Sequence, residues 1–185
     1  MDKKITQFIQ ALRNVGGVAE VVKNAADAVA HIGAHLQGPL LAPDSHSLQQ
    51  AGLKDFLSQA GIEMVCDDFR ANGAKAAGGL TGANFGIAAT GTVVLESTDE
   101  NVRIASTLPE KHFVVLDPAK IVSDYNAALP IVRKLHEQWP QVYLAYLTGP
   151  SRTADIERVL TIGVHGPREL HVLLLEGISS DFMER

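Results

Sequence analysis

Ile5, Phe8, Ile9 and Leu12 recur at the spacing of one helical face, which predicts a short amphipathic helix over residues 2–13, ending before Gly16-Gly17. Residues 18–22, VAEVV, read as a strand. Asn24 then has the character of an N-cap, with Asp27 in the first turn and Ala25, Val29, Ile32 and Leu36 on one apolar stripe. Gly38-Pro39 stops that helix, and residues 39–42 (PLLA) form a short buried strand. Residues 46–60 are helical with a break at Gly52, followed by a strand at 62–66 (IEMVC).

The second half is more apolar. HFVVLD (112–117), VYLAYLT (142–148) and LHVLLLE (170–176) are runs of the kind found in strands covered on both faces, as in parallel sheets. Between the first two, Ala128, Ile131, Val132, Leu135 and Trp139 mark the buried stripe of a helix that starts at Ser123 or Asp124 and stops at Pro140. Strand, helix and strand in that order predict a right-handed βαβ unit. The expected architecture is an α/β layered sandwich around a mainly parallel sheet, a single domain spanning 1–185.

Composition narrows the chemistry. Sixteen Lys and Arg against 21 Asp and Glu leave a net charge of −5, which argues against nucleic acid or a membrane surface as partner. No apolar run approaches the ~20 residues of a membrane span, and MDKKITQFIQALRN lacks a signal-peptide core, so the expected location is cytoplasmic. The single cysteine, Cys66, excludes an internal disulfide, and an iron–sulfur cluster held by this chain alone would need about four thiolates. No cofactor fingerprint is present, and neither a cofactor nor a metal is expected.

Two segments carry more glycine and hydroxyl than a core requires. The first, residues 78–97, reads GGLTGANFGIAATGTVVLES. Gly82, Gly86 and Gly91 permit positive φ and close approach of a ligand, while Thr81, Thr90 and Thr92 add donors, so exposed N–H groups here could cradle an anion. The spacing is neither GxGxxG nor a nucleotide P-loop. The alternative is a hairpin turning near Gly91, with glycines serving geometry only.

The second, residues 148–171, reads TGPSRTADIERVLTIGVHGPRELH and follows an expected strand. Ser151 is a candidate N-cap, Arg152 and Arg168 suit a carboxylate or phosphate, and His165 sits between Gly163 and Gly166, where it could donate to an anion or move a proton. The alternative is that Arg152 and Arg158 pair with Asp155 and Glu157 on an exposed turn, worth ~0–1 kcal/mol each. His31 and His35 are four apart on a helix but lack a further ligand at motif spacing, which favours a surface pair. His46, His136 and His171 show no partner, His112 opens an apolar strand as a structural residue, and Cys66 reads as an inert buried thiol. Ser151 lacks the GxSxG frame of a nucleophile elbow.

LTGANFGIAATGTVVL (80–95), ASTLPEKHFVVL (105–116) and TGPSRTADIERVLTIGVHGPRELHVLLLE (148–176) resemble the lactate-utilization domain family, particularly its C-type members. The resemblance implies a fold similar to coenzyme A transferases, ribose-5-phosphate isomerase and 5-formyltetrahydrofolate cyclo-ligase. It also implies participation in oxidising L-lactate to pyruvate, alongside companion proteins that carry iron–sulfur clusters. Where the family pattern commonly reads AETGT and GADF, this chain has Ala89 and Asn84, so two carboxylates are absent from the first segment. The candidate anion pocket therefore comprises Thr81, Gly82, Asn84, Thr90, Gly91, Thr92, Ser151, Arg152, His165 and Arg168, with no catalytic residue assigned. Two other functions remain open: an independent enzyme on a phosphorylated or carboxylated metabolite, and a purely structural interaction module.

Overall fold

A computed structural model of the chain describes residues 2–139, 141–153 and 161–184. The first helix, Lys3–Asn14 (α1), is capped by the Asp2 carboxylate on Lys4 N and buries Phe8, Ile9 and Leu12. Val18–Val22 (β1) follows, then Ala25–His35 (α2), whose Asn24 side chain accepts from Asp27 N as the capping pattern anticipates. Leu40–Leu41 (β2) precedes His46–Gln50 (α3) and Leu53–Gln59 (α4), which are separated by Gly52 at φ +60°. Met64–Val65 (β3), Phe69–Asn72 (α5) and Gly78–Gly82 (β4) complete the first half.

Phe85–Ile87 (β5) and Thr92–Glu96 (β6) form the anticipated hairpin, pairing antiparallel around Gly91 at φ +65°. Glu100–Thr107 (α6), Lys111–Leu116 (β7) and Ile121–Val122 (β8) lead to the long helix Tyr125–Gln138 (α7), capped by Asp124 on Ala127 N. Its expected stop, Pro140, lies outside the described residues. Leu144–Leu147 (β9), a small ribbon of Arg152–Thr153 (β10) and Thr161–Ile162 (β11), and Glu169–Leu175 (β12) follow.

The central sheet has six strands in the order β1-β12-β7-β4-β2-β3, every pair parallel. Strand periodicity divides its two faces. Phe113, Val115, Leu173 and Leu175 pack with Ile32, Leu48, Leu53 and Leu57 of α2, α3 and α4. Val114, Leu116, Leu170, Val172 and Leu174 pack with Phe8, Ile9 and Leu12 of α1 and with Val93 and Leu95 of a second sheet. That second sheet, ordered β8-β5-β6-β9, buries its far face against Ala128, Ile131 and Leu135 of α7.

The βαβ expectation needs correction here. β9 pairs antiparallel with β6 in the second sheet whereas β7 lies in the central one, so the two strands expected on either side of α7 do not form one parallel unit. Tyr143 and Tyr146 are 59% and 43% exposed, so the VYLAYLT run is not covered on both faces. Ser151 precedes strand β10 and caps no helix among the described residues, and Cys66, beyond edge strand β3, is exposed. The Arg158, Asp155 and Glu157 pairing lies outside the described residues. No described helix is long and apolar enough to cross a membrane.

Candidate functional site

The ends of the parallel strands create the first cleft. β2 and β4 finish at Leu41 and Gly82, and the chain beyond them supplies Pro43, Asp44, Ser45 and Asn84 to a cavity of about 300 Å³, also lined by Thr81, Gly82, Glu96, Asp99 and Glu184. Carboxyl edges of parallel strands are where α/β proteins commonly bind ligands. Thr81, Gly82 and Asn84 of the expected pocket lie here.

Residues 177–184 close this edge as a strap. The Asp117 carboxylate, just past β7, accepts from Ile178 N at 2.9 Å and Ser179 N at 3.1 Å. Asn84 Nδ2 donates to the Phe182 carbonyl at 2.7 Å, and Asn84 Oδ1 accepts from Glu96 N at 2.6 Å. The strap then delivers Glu184 inward. Its carboxylate accepts from Ser47 N at 3.0 Å, from the Ser47 hydroxyl, and from the ammonium of Lys120, which also donates to Ser47 Oγ at 3.2 Å. Lys120 is fully enclosed and Glu184 only 8% exposed. A Cβ on Gly82 would stand 2.5 Å from Glu184 Oε2, so glycine here admits the carboxylate against the backbone.

Asn84 thus works as a neutral connector, donating on one side and accepting on the other. Asn84→Asp would turn an acceptor toward the Phe182 carbonyl. We expect it to cost about 1–3 kcal/mol at pH 7 by denaturant unfolding, and an unchanged midpoint would contradict this role.

The second cleft, about 440 Å³, lies at the amino ends of β7 and β12 and gathers Ser106, Thr107, His112, Thr148, Ser151, Arg152 and His165. Ser151, Arg152 and His165 of the expected pocket therefore share a cleft, but a different one from Thr81, Gly82 and Asn84. Thr81 Oγ1 and His112 Nε2, 2.9 Å apart, join a residue of one cleft to a residue of the other. Thr90, Thr92 and Thr148 form a hydroxyl chain with steps of 2.6 and 2.8 Å, which ties the hairpin to the second cleft. Gly91 is absorbed by packing, since a Cβ there would meet Leu12 N at 2.2 Å. Arg152 donates to the Val15 carbonyl, while Arg168 is exposed beside Glu110 at 3.8 Å. Ala89 sits on the exposed hairpin turn.

His112 is wholly buried, and among the described residues Nδ1 has no hydrogen-bond partner. Burial pulls its imidazole down to about 3, so the ring is neutral at pH 7. Because the unfolded ring takes up a proton near pH 6.5 and the folded ring does not, stability must fall as pH drops from 6.5 toward 3. The contribution is at most about 1.4 kcal/mol per pH unit. His112→Asn is expected to flatten the stability profile over that window, and parallel curves for the two proteins would refute this origin.

Sequence reasoning missed Lys120, Ser47, Asp117 and Glu184 as site residues. It also missed His171, which joins His31 and His35 in a half-buried cluster rather than leaving them a surface pair. Burial lowers both His31 and His171 below the ordinary imidazole value.

The comparisons with known proteins agree with this architecture. The chain is 39% identical over 97 residues to an uncharacterized Neisseria meningitidis protein, covering 52% of this chain and 41% of that one. It is 33% identical over 141 residues to lactate utilization protein C of Anoxybacillus flavithermus, covering 74% and 62%. The chain thus spans less than two thirds of the length of these relatives. A solved structure of a DUF162 family protein from Deinococcus radiodurans superposes with a TM-score of 0.66 at 22% identity, covering 94% of this chain and 96% of that one, and shares the fold. With the LUD domain family profile matching residues 5–175, and the parallel sheet and its glycine-rich hairpin in place, this chain belongs to the LUD domain family.

Proposed function

We propose that this chain is a non-redox accessory component of L-lactate oxidation to pyruvate, acting with iron–sulfur partner proteins and holding a small carboxylate at the carboxyl edge of its parallel sheet. One observation carries the binding half of this reading: a fully enclosed ammonium, Lys120, faces a carboxylate supplied by the chain itself, Glu184. Lactate and pyruvate present the same two-oxygen group. Either would satisfy Lys120 Nζ, Ser47 N and Ser47 Oγ once the strap withdrew, so Glu184 acts as an internal stand-in for the anion. The lactate half rests on the relatives named lactate utilization protein C. The single cysteine accords with a component that holds no iron–sulfur cluster by itself.

The test is growth on L-lactate as sole carbon source. A strain lacking this chain should fail to oxidise lactate, wild type should restore it, and Lys120→Met should not, at equal protein level. Normal lactate oxidation in the deletion strain would overturn the role. A second reading, an independent enzyme on a phosphorylated metabolite, draws on the second cleft, which Ser151, Arg152, His165 and His112 line together. It requires phosphate esters to raise the melting temperature of wild type and not of Arg152→Ala, since a ligand at 100 times its Kd adds ~2.7 kcal/mol.

A further inference from the structure

At the opposite edge of the central sheet, where β7 and β12 begin, three imidazoles converge. His31 and His35 come from the last turns of α2, and His171 comes from β12. One nitrogen from each lies within 4.8 Å of the others. We propose that this trio binds a late first-row divalent cation, Zn²⁺ above all, through three nitrogens.

The hydrogen bonds around the trio decide which nitrogens are free. His171 Nε2 lies 2.9 Å from the Glu169 carboxylate, which only accepts, so Nε2 bears the hydrogen and Nδ1 keeps its lone pair. His35 Nδ1 lies 2.8 Å from the His31 carbonyl, so it too bears the hydrogen and Nε2 keeps its lone pair. Both outer contacts are those that orient metal-bound histidines: a carboxylate behind one ring, a backbone carbonyl behind another. His31 Nε2 stands 2.9 Å from His171 Nδ1, and a cation between them would replace the shared hydrogen as His31 moves its proton to Nδ1. Two imidazoles on one tetrahedral zinc, at ~2.05 Å each, hold their nitrogens roughly 3.3 Å apart. The His31–His171 pair therefore needs to open by a few tenths of an ångström, while the His35 ring, whose nitrogen lies within 4.8 Å of the others, swings inward.

The surroundings favour positive charge. The carboxyl end of α2, the negative pole of the helix dipole, lies at the site, and Glu20 of β1 and Glu169 lie close by. Lys111 is the opposing charge, and it is engaged by the His35 carbonyl at 2.7 Å and Glu169 at 3.4 Å. Neutral imidazole in a three-nitrogen set selects zinc, cobalt, nickel or copper over magnesium and calcium, and leaves a fourth position for water.

Titration of the purified, metal-stripped protein with Co²⁺, followed by Zn²⁺ competition, tests the proposal. One equivalent of Co²⁺ should give visible absorption of a four-coordinate ion that Zn²⁺ abolishes. His35→Ala and His171→Ala should each remove it, and Glu169→Gln should weaken binding 10–100-fold while leaving the stoichiometry at one. Circular dichroism of each variant separates loss of the site from loss of the fold. Absence of a stoichiometric Co²⁺ complex in the wild-type protein, or binding undiminished in the folded His35→Ala protein, would overturn the site. Neither result bears on the Lys120 cradle, which lies at the other edge of the sheet.

Discussion

Glu184→Ala should lose about 3–5 kcal/mol of stability, and small carboxylates should restore a large part of it. The reasoning begins with Lys120, whose ammonium is wholly enclosed and whose partners in that enclosure include Glu184 and Ser47. Removing one member of a buried ion pair leaves the other desolvated and uncompensated, which is far costlier than loss of an exposed pair. Surface pairs in the same chain, such as Lys54 with Asp44, should change stability by no more than about 1 kcal/mol when truncated. Acetate, L-lactate or pyruvate at millimolar concentration should then raise the melting temperature of Glu184→Ala more than that of wild type, because only the variant has a vacant cradle. The double variant Lys120→Met with Glu184→Leu should be more stable than Glu184→Ala and indifferent to carboxylates. Equal responses of wild type and Glu184→Ala would show that Glu184 does not occupy an anion site.

A second large effect comes from Gly79. In β4 this residue lets α6 rest directly on the sheet: a Cβ there would stand 1.8 Å from the Ala105 carbonyl oxygen and 2.7 Å from its carbon. Both are backbone atoms, so no rotamer change relieves the clash. Gly79→Ala must push α6, with its Ile104 and Ala105, away from Leu41, Phe69 and Ala76 of their shared small core. We expect a loss of about 3 kcal/mol or more, at the upper end of overpacking costs. Gly61→Ala is the control. No atom of the described residues lies within 4 Å of its Cβ and φ is +72°, so the left-handed backbone is what resists, for about 1–2 kcal/mol. Thermal unfolding of the two variants side by side checks the ordering, and a Gly79→Ala protein no less stable than Gly61→Ala would refute it. Because Asp99 and Val102 line the first cleft from the α6 side, the same change should also weaken carboxylate binding.

What the sequence reveals follows from how local each signal is. The 3.6-residue stripes of α1 and α7, the Asn24 and Asp124 caps and the turn at Gly91 are decided by neighbours within a few residues, and all are found in the structure. The VYLAYLT run misleads because apolar content does not say which sheet receives a strand; pairing with β6 does, some 50 residues earlier in the chain. Cys66 misleads for a related reason: an edge strand buries less than its composition suggests.

The site residues depend on still longer connections. Lys120 and Glu184 are 64 positions apart, Ser47 and Glu184 137, and His31 and His171 140. No spacing rule reaches across such separations, so even the i, i+4 pair of His31 and His35 gives no sign of His171. Their convergence is a product of strand order: β12 lies between β1 and β7, which brings His171 under α2 and carries the following strap across the carboxyl edge. The glycine-rich segment was visible as unusual, yet its glycines serve different ends. Gly82 makes room for a carboxylate, whereas Gly86 and Gly91 make room for the packing of Phe8 and of the α1 backbone.

The most direct measurement is a crystal structure of Glu184→Ala grown with L-lactate. The carboxylate of lactate should lie within hydrogen-bonding distance of Lys120 Nζ, Ser47 N and Ser47 Oγ, against the backbone of Gly82. Lactate found only in the second cleft beside Ser151 and Arg152, or no lactate at Lys120, would contradict the cradle.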